Sequence, residues 1–293
     1  MVSFSPLPSI VIEPIVRNAL LEDLGQAGDL TSDAIIPHDR EAKLELKARD
    51  VGVVAGLDLA AFAFMLMDPT IDMRIWRPDG SDVAAGETIA QLCGPARGLL
   101  AAERTALNFL CRLSGIATAT AALVEAVHGH KAKIACTRKT TPGLRALEKY
   151  AVRVGGGANH RFGLDHAVLI KDNHIAIAGD IRTAIERARA AAGHMVKIEV
   201  EVETLEQLET VLALGIDAVL LDNMALDDLA RAVAMVGGRA ITEASGRVTP
   251  RTARAIAATG VDLISVGWLT HSAPILDIGL DASIDGNCNR RLN

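Results

Sequence analysis

Basic side chains stand at three places in the later part of the chain, after a predicted strand, after a run of glycines and at the end of another predicted strand. They are Arg138-Lys139, His160-Arg161 and Lys171. Arginine offers a planar fork to a carboxylate or phosphate, and lysine a compact positive charge, so the grouping predicts a site for an anion. Adjacent cations are also common in solvated surface loops. Lys171, at the end of a predicted strand, could equally form a Schiff base.

Carboxylates form a second group of candidate residues. Glu199 and Glu201 are two residues apart in a predicted strand and therefore face the same side. Asp222 ends the next predicted strand. Two carboxylates from neighbouring strands can hold Mg²⁺ together with substrate phosphates, can face a developing positive charge, or can pair with the cations. The residue types alone leave these three interpretations open.

Small residues follow the last two predicted strands, at Ser245-Gly246 and at Ser265-Val266-Gly267. Their backbone N–H groups can cradle a phosphate, and the last two strands are the usual place for a phosphate site in β/α barrels. Three consecutive glycines, Gly155 to Gly157, precede His160 and allow the backbone to approach a ligand closely.

Strand and helix patterns alternate from about residue 133 onwards, which predicts a parallel sheet with helical crossovers. The predicted strands are Ile134–Cys136, Ala167–Ile170, Val196–Val202, Ala218–Leu221, Ile241–Ala244 and Leu263–Val266. Predicted helices at 204–214, 226–236 and 249–259 lie between the later strands. Glu201, Asp222, Ser245 and Gly267 recur every 21 to 23 residues, about one β/α unit of a barrel, so we expect them on one rim.

The first third of the chain has a different pattern, typical of an α+β domain with antiparallel strands. Helices are predicted at 11–24, where Pro14 limits the start, at 57–67 and at 97–127, with strands within 41–56 and 72–92. The segment Gly28–Ser32 is predicted to be a loop.

Composition narrows the function classes. The 293 residues include only eight aromatic residues and carry a formal charge of −6, which excludes a nucleic-acid binder held by a general basic field or by base stacking. Residues 137–172 contain seven basic and three acidic residues, a local +4, so the rest of the chain carries −10. No CxxC pair, basic leader or long apolar run is present, which favours a cytoplasmic protein that does not enter a membrane.

Eight sequence strings together resemble the decarboxylating quinolinate phosphoribosyltransferase (nicotinate-nucleotide pyrophosphorylase) family. In family order they are ERTALN (103–108), TRKTTPGLR (137–145), GGGANHRFGL (155–164), LIKDNHI (169–175), EVEVETLEQL (199–208), LLDN (220–223), EASG (243–246) and ISVGWLTHSAP (264–274). The resemblance implies an N-terminal α/β sandwich-like domain at 1–116 and an incomplete, open-faced β/α barrel at 117–271. The phosphate site would lie at the C-terminal strand ends, and segment 272–293 would pack on the N-terminal domain.

The implied activity joins quinolinate to phosphoribosyl pyrophosphate in NAD biosynthesis and yields nicotinate mononucleotide, pyrophosphate and CO₂, with Mg²⁺ as cofactor. The implied assembly is a homodimer with shared active sites, or a hexamer. Two readings compete: a paralogue of the same fold associated with molybdenum transport, and a non-catalytic anion-binding barrel.

The resemblance also assigns roles, and it removes the Schiff-base role for Lys171. Catalysis falls to Lys139, Glu201 and Asp222, of which Glu201 and Asp222 also hold Mg²⁺, largely through substrate phosphates. Quinolinate is bound by Arg104 of the partner subunit together with the following residues of the same chain: Arg138, His160, Arg161 and Lys171. Phosphate is bound by Lys139, Ser245, Gly246, Arg247, Val266 and Gly267.

Two positions depart from the family pattern. Cys136 stands where Asp is frequent, and Arg247 where Gly is frequent. We expect Cys136 to pack beneath its loop, and Arg247 either to reach a phosphate or to point to solvent.

Overall fold

The computed structural model describes residues 5–282 of the chain. Its helices and strands are, in order, α1 (Ser9–Leu24), α2 (Leu30–Ile35), β1 (Glu41–Ala48), β2 (Gly52–Val53), α3 (Leu57–Met67), β3 (Asp72–Ile75), β4 (Asp82–Val83), β5 (Thr88–Pro95), α4 (Ala96–Ala126), β6 (Lys133–Ala135), α5 (Arg145–Val154), β7 (Val168–Ile170), α6 (Asp172–Ala178), α7 (Ile181–Ala191), β8 (Ile198–Val202), α8 (Leu205–Leu214), β9 (Ala218–Asp222), α9 (Leu226–Val236), β10 (Ile241–Ser245), α10 (Pro250–Ala258), β11 (Leu263–Ser265), α11 (Trp268–His271) and β12 (Ile278–Ala282).

The described chain falls into two compact units. The first contains 5–119, Ala146–Gly155 and 273–282, and the second contains Thr120–Arg145 and Gly156–Ser272. The domain limits expected from sequence, 1–116 with 272–293 and 117–271, stay a prediction, and their residues 283–293 lie outside the described part.

The first unit is built on an antiparallel sheet with the order β12-β1-β5-β3. Alternate residues of β1, namely Leu44, Leu46 and Ala48, are buried, as a strand with one face on a core requires. Helix α3 contributes the fully buried Phe64 to this core and contacts α1. The predicted α+β character of the N-terminal third is therefore confirmed.

One local prediction in this unit is wrong. The segment predicted as a loop at 28–32 begins helix α2, because Asp29 caps it by accepting hydrogen bonds from the N–H groups of Thr31 (3.1 Å) and Ser32 (3.0 Å). The helix predicted at 11–24 is confirmed as α1, which begins two residues earlier, at Ser9, and contains Pro14. The carbonyl that Pro14 leaves unbonded is that of Ile10, an exposed residue where water can replace the lost donor.

The second unit contains a six-stranded sheet of parallel strands in the order β6-β11-β10-β9-β8-β7. Each of the six predicted aliphatic runs forms one of its strands. The end strands of the ladder are β6 and β7, and beyond β6 the described residues add one parallel bridge, between Ala135 and Ala158. The ladder therefore does not close, and the expected incomplete barrel is confirmed.

Helix caps set the direction in which the chain leaves each strand. Thr204 accepts from the N–H of Gln207 and Thr249 from that of Thr252, and each pair forms a reciprocal capping box. Pro250 occupies the first turn of α10, and Gly215 caps the end of α8 with a left-handed backbone. Thr204, Thr249 and Pro250 thus begin helices after their strands, and Gly215 ends α8, so the chain returns to the sheet for the next parallel strand.

Helix α4 is long and apolar enough to cross a membrane by length and composition alone. Half of its most apolar 18-residue window is buried inside the protein, which is also what a core helix of a globular protein shows.

Candidate active site

A cavity of about 380 Å³ lies at the C-terminal ends of the parallel strands. Eight of the predicted site residues line it: Arg138, Lys139, His160, Arg161, Lys171, Glu201, Asp222 and Ser245. Thr137, Leu169, Leu220, Glu243 and Ser265 complete the lining. The strand pattern explains this convergence, because the carboxyl ends of parallel strands share one edge and alternate residues share one face.

Strand β8 shows how the sequence places its carboxylates. Ile198, Val200 and Val202 are buried on one face, while Glu199 and Glu201 lie on the other. The aliphatic residues anchor the strand, and the alternation turns both carboxylates towards the same side of the sheet.

Two guanidinium groups lie partly buried in the cavity. The Nε atoms of Arg138 and Arg161 are buried and have no hydrogen-bond partner among the described residues, while Nη1 of Arg161 donates to the carbonyl of Ala167 at 2.7 Å. Burial and the nearby charge of Arg138 lower the pKa of Arg161, and the charge of Glu199 opposes this shift. Both guanidinium groups stay charged at neutral pH, so a bound anion would relieve their repulsion and supply acceptors.

His160 is held by hydrogen bonds at both ring nitrogens. Its Nδ1 accepts from the N–H of Arg161 at 2.7 Å, so the neutral ring carries its proton on Nε2, which lies 3.0 Å from Oε2 of Glu199. Glu243 Oε1 is 3.7 Å from the same Nε2. The ligand atoms of His160, Glu199 and Glu243 lie within 4.8 Å of one another, a spacing that could suit a metal ion. A protonated Nε2 cannot ligate a metal, so this arrangement favours a hydrogen-bonded cluster.

Glu243 is the most buried acid of the cavity, with 2% of its side chain exposed. Its Oε1 has no hydrogen-bond partner in the described residues. Burial, reinforced by the charge of Glu199, raises the pKa of Glu243 to about 7, and His160 and a hydrogen bond from Ser265 oppose the shift.

Lys171 and Glu201 form an ion pair in which Nζ donates to Oε2. Lys171 follows β7 and is half-exposed, whereas Glu201 is largely buried. Asp222, at the end of β9, accepts from the side-chain amide of Asn223 at 2.7 Å. Glu201 and Asp222 thus bring carboxylates from neighbouring strands to one cavity, a donor set that fits Mg²⁺ shared with substrate phosphates.

The loops after β10 and β11 are tight. Gly246 has a φ of +111°, and a β-carbon there would lie 2.3 Å from Oδ1 of Asn223. Arg247 also has a positive φ, of 45°, and its side chain is exposed. A β-carbon at Gly267 would lie 2.8 Å from Cδ of Lys139. Gly246 is therefore required by its backbone conformation and its contact, while Gly267 allows the Lys139 side chain to lie against the loop.

Val266 does not suit its predicted role as a phosphate ligand. Its N–H donates to the carbonyl of Ala135 at 2.9 Å, and its side chain is buried. The sheet therefore uses the one donor that this residue has.

Cys136 packs beneath its loop. It is fully buried, and its thiol donates to Oδ1 of Asn159 at 3.2 Å. The thiol thus links the loop after β6 to the segment that carries His160.

Residues 29–114 match the family model described as quinolinate phosphoribosyl transferase, N-terminal domain, and residues 116–281 match that of the C-terminal domain. The chain belongs to the quinolinate phosphoribosyltransferase family.

Two curated family members show the extent of the similarity. The chain is 45% identical to the probable nicotinate-nucleotide pyrophosphorylase (carboxylating) of Bacillus subtilis, over 93% of this chain and 94% of that protein. It is 46% identical to the nicotinate-nucleotide pyrophosphorylase (carboxylating) of Mycobacterium leprae, over 91% and 95%. Among solved structures, it superposes on NadC from Streptococcus pyogenes with a TM-score of 0.91 and 42% identity, covering 96% of this chain and all of that one.

Within this family member, five predicted site residues do not line the cavity. Gly246, Arg247, Val266 and Gly267 lie in the adjacent loops, and Arg104 is an exposed residue of α4 in the first unit. The action of Arg104 in a partner's site stays a prediction.

Sequence reasoning missed Glu243 as a site residue. The segment Ile241–Ser245 is a buried strand, and a strand period of two puts Glu243 on the same face as Ser245, which was predicted. The position of Glu243 two residues before Ser245 in a predicted strand was therefore the signal available in the sequence.

Proposed function

We propose that this chain catalyses the reaction of its family, joining quinolinate to phosphoribosyl pyrophosphate in NAD biosynthesis with release of pyrophosphate and CO₂. The observation that carries the proposal is one cavity that combines partly buried cations, Arg138, Arg161 and Lys171, with two carboxylates, Glu201 and Asp222. A dicarboxylate and a sugar that develops positive charge need these two kinds of group side by side.

Quinolinate is a pyridine dicarboxylate, and its two carboxylates suit the guanidinium groups of Arg138 and Arg161. Their buried, unpartnered Nε atoms would gain acceptors on binding. The ring itself would meet Leu169 and Leu220, since the lining contains neither Phe, Tyr nor Trp. Recognition would therefore rest on charge, with apolar contact to the ring faces.

Lys171 links substrate binding to the sugar site. It pairs with Glu201, and a quinolinate carboxylate would compete for the same ammonium group. Drawing Lys171 away would leave the Glu201 carboxylate to interact with the ribose, so binding of one substrate would prepare the site for the other.

Loss of pyrophosphate gives the ribose oxocarbenium character. Glu201 and Asp222 would stabilise that charge, while Lys139 would neutralise charge on the departing pyrophosphate. Bound Mg²⁺, held by Glu201 and Asp222 largely through substrate phosphates, would supply further charge neutralisation at the pyrophosphate. The pyridine nitrogen then attacks the anomeric carbon. As CO₂ departs, the positive charge on the ring nitrogen stabilises the electron pair left on C2, and C2 then gains a proton.

The 5′-phosphate is proposed to bind at the loops after β10 and β11. Ser245, Gly246 and Gly267 can offer hydroxyl and backbone N–H donors there, and the exposed side chain of Arg247 can reach a phosphate at the edge. A homodimer in which Arg104 enters the partner's site, and a location in the cytoplasm, complete the proposal.

The decisive experiment supplies purified protein with quinolinate, phosphoribosyl pyrophosphate and Mg²⁺ and measures CO₂ and nicotinate mononucleotide. Asp222→Asn should lose activity because it keeps the shape but not the charge, whereas the exposed Asp227→Asn, on helix α9, should keep it. Absence of product from the folded wild type would contradict the proposal. Substrate binding without turnover would instead support the non-catalytic anion-binding reading.

A further inference from the structure

Glu243 is an acid without an evident purpose in the binding scheme. It lies in the middle of strand β10, lines the cavity and is almost completely buried. Its Oε1 has no hydrogen-bond partner in the described chain. A buried acid with an unpartnered oxygen costs stability, so its presence beside a substrate cavity points to a use.

The charged and titratable groups that face Glu243 come from several elements. Glu199 lies on β8, Lys171 follows β7, and His160 lies in the segment next to β6, while Ser265 on β11 donates a hydrogen bond. The carboxylate of Glu199 has an oxygen within 4.8 Å of one of Glu243. Ionisation of Glu243 beside it is unfavourable, because like charges repel. The cluster is therefore arranged to hold one carboxylate, Glu199, and one neutral carboxylic acid.

A neutral acid also fits the proposed substrate. An ionised Glu243 would repel the carboxylates of quinolinate, in a cavity whose other charges attract them. In its neutral form Glu243 removes that repulsion and presents an O–H group to the cavity.

The proposed reaction needs an acid at this place. When CO₂ leaves, the bond from C2 of the ring to the carboxyl carbon breaks, and its electron pair stays on C2 beside the positively charged nitrogen. C2 must then gain a proton to complete the product. Arginine and lysine side chains are much weaker acids than a carboxylic acid. Beside Glu243, the Nε2–H of His160 is directed to Glu199, and Lys171 donates to a carboxylate.

Resting on the proposed function, we propose that the carboxylic acid of Glu243 gives its proton to C2 as CO₂ departs. The new C2–H bond takes the electron pair left by the C–C bond, and Glu243 becomes a carboxylate. Water entering the cavity then returns a proton to Glu243. The hydrogen bond between His160 and Glu199 fixes the two side chains beside Glu243, so both act as positioning residues.

The test compares Glu243→Gln, which keeps the shape and loses the acid, with Glu206→Gln on helix α8 as a control away from the cavity. We expect Glu243→Gln to lower kcat by about 10²-fold or more, the usual size of a general-acid contribution, with a much smaller change in the KM for quinolinate. The first turnover should still release pyrophosphate, because phosphoribosyl transfer precedes the proton step.

The pH profile separates an acid from a structural residue. The wild-type kcat/KM, which reports the protonation of the free enzyme, should fall as the pH rises through the range near 7 in which Glu243 loses its proton. Glu243→Gln should be slow and should lack this fall. A wild-type kcat in Glu243→Gln, or an unchanged fall near the same pH, would overturn the proposal, whereas an inactive wild type would instead contradict the proposed function.

A measurement that needs no turnover tests the protonation state of Glu243 directly, so it still decides if Glu243→Gln is inactive for a structural reason. An infrared difference spectrum between wild type and Glu243→Gln at pH 6 should show the C=O band of a protonated carboxylic acid in the wild type. Its absence would show that Glu243 is ionised there and would overturn the proposal.

Discussion

Gly267 and Lys139 pack so closely that a β-carbon on the glycine would lie 2.8 Å from Cδ of the lysine. The same loops are joined a second time, because the Thr270 hydroxyl donates to the carbonyl of Lys139 at 2.8 Å. Thr270 of helix α11 therefore holds the backbone of Lys139, while Gly267 leaves room for the Lys139 side chain beside it.

Gly267→Ala should displace Lys139 and weaken its proposed contact with the pyrophosphate. We expect a higher KM for phosphoribosyl pyrophosphate and a lower kcat, with a loss of stability below about 2 kcal/mol, because a flexible side chain can move aside. Gly193→Ala is the matched control, since nothing lies within 4 Å of its β-carbon. Kinetics of Gly267→Ala equal to those of the control would contradict this packing role.

Gly246→Ala should be more damaging than Gly267→Ala. Its backbone has a φ of +111°, and the added β-carbon would lie 2.3 Å from Oδ1 of Asn223. Gly86 has a φ of +84° and open space around it, so a substitution there shows the cost of backbone strain without the cost of a collision. Gly86→Ala should cost about 1–2 kcal/mol of unfolding free energy from backbone strain alone, and Gly246→Ala should cost more because a collision is added. Thermal unfolding of both variants measures the difference, and equal losses would rule out the collision.

Arg138 should reduce the stability of the ligand-free protein while serving its function. Burial and, after it, the charge of Arg138 lower the pKa of the neighbouring Arg161, and the effect of Arg138 reflects repulsion between two partly buried cations. Arg138→Gln should therefore raise the free energy of unfolding by up to about 1 kcal/mol and strongly weaken quinolinate binding. Arg231→Gln, which removes an exposed arginine, should change neither. Calorimetry measures the unfolding of each variant and its binding of quinolinate. A lower free energy of unfolding for Arg138→Gln would contradict the proposed repulsion between Arg138 and Arg161.

The sheet of the second unit was predictable because its strands are short aliphatic runs bounded by polar residues. Helix α2 was not, since its signal is the cap at Asp29 and not an apolar pattern. Pro14 does not shorten helix α1, because an exposed helix tolerates proline near its beginning.

The local charge of +4 in residues 137–172 predicted the right segment, but it overestimated the number of basic residues in the site. Of its seven basic residues, Arg138, Lys139, Arg161 and Lys171 line the cavity. Lys149 is fully buried in α5, in the first unit. Arg145 donates to the Thr140 hydroxyl and to the carbonyl of Phe162, so it connects two site loops. Counting charge along a chain does not distinguish ligand binding from such structural contacts, because only the fold shows where each side chain points.

The proposal that the two subunits share active sites can be tested by mixing two inactive variants of this chain. If Arg104 completes the partner's site, Arg104→Ala and Glu201→Ala should each be inactive for a different reason, because one lacks a quinolinate ligand and the other a carboxylate at the ribose. A hybrid dimer would contain one site with both defects and one site with neither. Random exchange gives hybrids in about half of the dimers, so the mixture should regain about a quarter of the wild-type sites.

The measurement is the rate of nicotinate mononucleotide formation after subunit exchange, verified with differently labelled chains. A mixture of Arg104→Ala with Arg138→Ala offers a second pair with the same logic. The control is Glu201→Ala mixed with Asp222→Ala, which should regain nothing, because both residues line the cavity of one chain. Verified exchange without recovery in the first pair would show that Arg104 does not act across the interface.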